Sequence, residues 1–95
     1  MVVGTGVIKL KLFGVASLKA KRKIVKSMIS RLANRFNISI AETGLNDSLD
    51  WAEIGFAMAG NDGRVMNSKI DKVFNAAEDM GLAMIADTTM EIIHL

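Results

Sequence analysis

The hydrophobic pattern of this chain switches from a period of two to a period of 3.6 and back, twice, within 95 residues, and few folds satisfy that double switch. From Thr5 to Phe13, Ile8, Leu10 and Leu12 alternate with Val7, Lys9 and Lys11, which predicts a half-buried strand. Gly14 loosens the turn that follows, and Ser17 can cap a helix running from about Leu18 to Asn34. In that helix Leu18, Ile24, Val25, Met28, Ile29 and Leu32 fall in one arc that continues to Phe36, with Lys19, Arg22, Lys23 and Lys26 opposite. Asn34 or Asn37 can end the helix, alternation resumes from Ile38 to about Thr43, and Gly44 to Asp50 reads as a loop.

The second half repeats the pattern. Trp51 to Ala59 puts Ile54, Phe56 and Met58 on one side of a strand and Glu53, Gly55, Ala57 and Ala59 on the other. Gly60 and Asn61 open a second helix with Asn61 as cap; Met66, Ile70, Val73, Phe74, Ala77 and Met80 recur at helical spacing until Gly81 stops it. Leu82 to Leu95 is a last extended segment, bent near Asp87. The order βαββαβ with two amphipathic helices predicts an α+β, ferredoxin-like sandwich, an antiparallel four-stranded sheet covered on one face by both helices and open on the other. With no proline, linker or low-complexity stretch, residues 1–95 are expected to form one domain.

A chain this short buries only roughly 60–70% of its unfolded surface, so 51% hydrophobic residues and a mean hydropathy of +0.31 leave apolar surface over for a partner. The absence of cysteine excludes disulfides, thiolate metal sites and a Cys nucleophile. Lys9 and Lys11 interrupt the first apolar stretch and no uncharged run reaches the ~18 residues of a membrane span, so a cytoplasmic protein without membrane contact is expected. The net charge of +2 conceals a sorting: residues 1–41 hold nine Lys/Arg and no Asp/Glu, whereas residues 42–95 hold three Lys/Arg and ten Asp/Glu.

The run Ser17-Leu18-Lys19-Ala20-Lys21-Arg22-Lys23-Ile24-Val25, followed by Arg31-Leu32 and Arg35-Phe36-Asn37-Ile38-Ser39-Ile40-Ala41-Glu42, resembles the hallmark of the YlxP-like bacterial family, a domain of unknown function (number 503). Ala52 to Ala57, Gly60-Asn61-Asp62 and Glu91-Ile92-Ile93 extend the likeness nearly end to end. Phe13 stands where many relatives have proline, and Trp51 sits about two positions later than the usual tryptophan. The resemblance implies the same ferredoxin-like fold and genes that neighbour translation and ribosome-maturation factors. It implies no catalytic residues.

Lys19, Lys21, Arg22 and Lys23 occupy the first two turns of helix one, where the helix dipole is already positive and each misplaced cation costs roughly 0.3–1 kcal/mol. A bound phosphate would reverse that sign, so these residues with Lys26, helped by Lys9 or Lys11, are the candidate anion or RNA site, on or near ribosomal particles. The bland alternative is a solvated basic face, with Lys21 snorkelling beside the apolar arc. Val7, Gly55, Ala57 and Ala59 form a smooth open face that suits homodimerisation or a protein partner, with Thr89 to Leu95 adding edge pairing. Trp51 at a strand end could join that interface or stack on a base, against the plainer reading of a lid on the core.

Other chemistries find little support. Acylphosphatase, which shares this topology, needs an arginine in the loop after the first strand, and Phe13-Gly14-Val15-Ala16 has none, so a non-enzymatic role without cofactor is expected. Glu42, Asp47, Asp50 and Glu53 crowd one loop region without metal-ligand spacing. Gly4-Thr5-Gly6 reads as strand fraying or a bulge rather than a nucleotide motif, and His94, the single histidine, has no identifiable partner for acid–base work.

Overall fold

The first strand, β1, runs Val2–Lys11 in a computed structural model that describes residues 1–95, so it begins three residues before the alternation predicts. Gly4 and Gly6 neither fray nor bulge it. Both face the helices, and both are glycine because large side chains fill the space a Cβ would need. At Gly6 a Cβ would come within 2.2 Å of the Phe56 ring, and at Gly4 within 2.5 Å of Met66 Sδ. The Phe56 ring meets Phe74 edge-on at 5.6 Å between centroids, so the Gly6 gap is filled by an aromatic pair.

The remaining elements are α1 (Leu18–Arg35), β2 (Ser39–Gly44), β3 (Trp51–Gly60), α2 (Gly63–Asp79) and β4 (Met84–His94). The strands pair in the order β2-β3-β1-β4, antiparallel throughout. This is the ferredoxin-like sandwich that the periodicity predicts. Ile8, Leu10 and Leu12 join Ile54, Phe56 and Met58 under Val25, Met28, Leu32, Ile70 and Val73 in one buried cluster, which places both helices on the same sheet face. α1 lies along β2, and α2 along β1 and β4.

Local chemistry explains most boundaries. Ser17 Oγ accepts a hydrogen bond from the Ala20 N–H at 3.1 Å, the expected cap. The second helix is capped one residue later than predicted: Asp62, not Asn61, accepts from the N–H groups of Arg64 and Val65. The bend predicted near Asp87 is a β-bulge, because Lys9 pairs with Asp87 and Leu10 with Ile85, leaving Ala86 unpaired. A second irregularity at Thr43 leaves Glu42 opposite Ile54 on the helix-facing side of β2, while Thr43 and Glu53 hydrogen-bond at 2.8 Å. No helix is long and apolar enough to cross a membrane.

Candidate nucleic-acid interface

Of the cations that the sequence assigns to helix one, Lys19, Arg22, Lys23 and Lys26 are exposed, and Arg31 and Arg35 carry the same character to its far end. None has an acidic partner: the one ion pair in the chain is between Lys21 and Glu42. The first turn of α1 holds no acid, so nothing on the helix offsets the unfavourable position of Lys19 and its neighbours against the dipole.

Lys21 departs from the predicted set. Its side chain is 1% exposed, neither free for a ligand nor snorkelling to water. The ammonium points into the β2–β3 connection, donating to the Leu45 carbonyl at 2.5 Å and the Asn46 carbonyl at 3.4 Å, with Glu42 Oε2 at 3.5 Å. Spacing alone places Lys21 beside the apolar arc; it does not reveal that the loop wraps the end of the side chain. Leu45 takes a left-handed backbone conformation, φ 58°, that brings its carbonyl to the ammonium.

Lys11 does not join the helix cations either. Lys9 and Lys11 belong to the odd-numbered, open side of β1, with the sheet between them and α1. Their ammonium groups lie 4.7 Å and 4.6 Å from the Trp51 ring centroid, and Lys11 also lies 5.9 Å from the Phe13 ring. Trp51 is therefore not a lid on the core: it pairs with Lys11 in register and sits half-buried at one end of the open face. Val7, Gly55 and Ala57 meet in a shallow depression of about 430 Å³ on that face, whereas Ala59 lines a different cavity. Glu42 and Glu53, grouped by sequence, face opposite sides of the sheet.

The two charge classes meet on the sheet, where Lys9 stands in register with Glu53 and Asp87, but they separate across α2. Asp71 and Glu78 on one flank of α2 face Asp87 across a groove against β4. Lys69 and Lys72 on the other flank meet Arg35 at the end of α1. The cationic surface thus extends along α1 and onto its neighbour, a continuation that becomes visible only when both helices are placed.

The profile of the family described as "Protein of unknown function (DUF503)" matches residues 3–90, which span every element from β1 into β4. The chain belongs to that family. This bears out the resemblance carried by the helix-one motif. Another likeness to the DUF503 chain is "Uncharacterized protein YlxP" of Bacillus subtilis (strain 168), 36% identical over 59 residues. The match covers 61% of this chain and 62% of that relative's length. Among solved structures, an Arabidopsis thaliana protein aligns over 98% of this chain and 94% of its own at 10% identity, with a TM-score of 0.52, a likeness of fold alone. A "dimeric ferredoxin-like protein of unknown function" from Thermobifida fusca covers 98% of the DUF503 chain and 92% of its own length at 17% identity. Its TM-score of 0.44 is too loose to inform how this chain assembles.

Proposed function

We propose that this DUF503 chain is a non-enzymatic binding protein that engages RNA, free or on ribosomal particles, through the outward face of α1. The observation that carries the reading is the row Lys19, Arg22, Lys23 and Lys26: exposed, without acidic partners, and begun in a helix turn where cations are unfavourable unless an anion is present. A lipid surface is a poorer fit, because none of the exposed large hydrophobic residues lies on α1 and a membrane-seeking helix needs them beside its cations. Contacts of this kind are made to phosphates, so affinity falls steeply with salt and varies little with sequence. Charge reversal in Lys19→Glu/Lys23→Glu should abolish co-sedimentation with ribosomal particles and weaken single-stranded RNA binding by roughly a hundredfold. A variant that folds normally and binds as before would sink the proposal.

A second reading rests on the open sheet face, where Val7, Gly55 and Ala57 line a shallow depression on the side away from both helices. Packed against a second copy, that face makes a homodimer and doubles the basic surface. Sedimentation equilibrium at tens of micromolar tests it: Ala57→Lys splits a dimer built there, and a wild-type mass of one chain removes the reading.

A further inference from the structure

The carboxyl end of α1 and the middle of α2 enclose a cavity of about 220 Å³ whose composition the RNA reading does not use. Arg35, Lys69 and Lys72 line it together with Asn37, while Phe36 and Met58 contribute apolar walls. No carboxylate lines it, and none of the three cations has an ion-pair partner. The Arg35 guanidinium is held over the Phe36 ring at 5.3 Å, which limits the orientations it must lose on binding. Arg35 alone would be explained by the negative end of the α1 dipole. Lys69 and Lys72 lie in the interior of α2, where no such field gathers cations.

We propose that this cavity is a binding site for a phosphomonoester carrying a small apolar or ring-bearing group. Three cations around one cavity match a group of charge about −1.5 to −2 better than a singly charged carboxylate, and the planar guanidinium can grip two phosphate oxygens. The apolar walls take the esterified part. A volume below the ~300–1,000 Å³ of drug-sized sites limits that part to about one ring. The site lies beyond the Lys19–Lys26 row, at the far end of the same cationic surface: Arg35 is nine helix positions past Lys26, about 13 Å along the axis. The phosphomonoester could be a free small molecule or the 5′ end of an RNA, and the chemistry of recognition is the same.

Titration of ¹⁵N-labelled protein with phenyl phosphate tests the proposal. Saturable shifts are expected in the amides of 35–38 and 69–72, with much weaker effects from phenol or inorganic phosphate. Lys69→Gln/Lys72→Gln should weaken phenyl phosphate at least tenfold with unchanged circular dichroism, while Lys19→Gln/Lys23→Gln leaves that affinity intact and reduces RNA binding. Absence of saturable shifts at millimolar phenyl phosphate, or equal losses in both variants, would overturn the assignment without touching the α1 surface. A short RNA with a 5′-phosphate that shifts these amides, where its 5′-hydroxyl counterpart does not, supports the site with an RNA end as the source. Phenyl phosphate binding unmatched by either RNA supports it with a free metabolite.

Discussion

Replacing Lys21 by methionine keeps the length and apolar stem of the side chain and removes the ammonium that ties α1 to the β2–β3 connection. The structure sets the scale. A charge-assisted bond to the Leu45 carbonyl contributes about 1.5–3 kcal/mol, and the longer approach to Asn46 adds little. Glu42 Oε2 is buried without a hydrogen bond and loses its counter-charge. Breaking a fully buried pair costs about 3–5 kcal/mol, but the Glu42 side chain is 18% exposed and can turn toward water, which lowers the penalty. Relief from burying the Lys21 charge works in the other direction. The net expectation is a loss of about 2–3 kcal/mol, a drop in Tm of roughly 10–20 °C for a domain of this size. Urea unfolding measures the loss, and hydrogen exchange should show faster opening confined first to residues 44–50. Lys21→Met/Glu42→Leu should recover most of it, since both charges then leave together. A single Lys21→Met variant within about 0.5 kcal/mol of wild type would refute the clamp.

Two further substitutions probe the packing and the loop. Gly6→Ala drives a methyl group into the Phe56 ring and should cost about 2–3 kcal/mol in denaturant unfolding, with part of the loss returned by Gly6→Ala/Phe56→Leu. Leu45→Asn should be neutral or stabilising by up to about 1 kcal/mol, because asparagine tolerates the left-handed backbone at this position and the leucine is 43% exposed; a clear loss would mean that the leucine side chain matters to the loop.

The element order, the Ser17 cap and both core stripes are legible in the sequence because each depends on neighbours within a turn or two. What depends on contacts across the fold is not. Gly4 and Gly6 look like breakers until Met66 and Phe56 are seen to occupy the space above them. Asn61 and Asp62 are both able caps, and their order along the chain does not choose between them. Lys21 falls at the edge of the helical stripe, but its carbonyl and carboxylate partners lie more than twenty residues away. The odd-numbered face of β3 already carries Trp51 with Glu53 and Gly55; that Lys9 and Lys11 cover its ring follows only from the β1–β3 register. The cavity of Arg35, Lys69 and Lys72 needs two helices placed side by side, which no local pattern encodes.

The most direct test of RNA engagement by α1 is the salt dependence of binding to a single-stranded oligonucleotide, followed by fluorescence anisotropy in the wild type and in Lys19→Gln/Lys23→Gln. If Lys19, Arg22, Lys23 and Lys26 each neutralise one phosphate, log K against log salt has a slope of about −3, and the double variant flattens it by about 1.4. A wild-type slope near zero, or one that the double substitution leaves unchanged, contradicts the account.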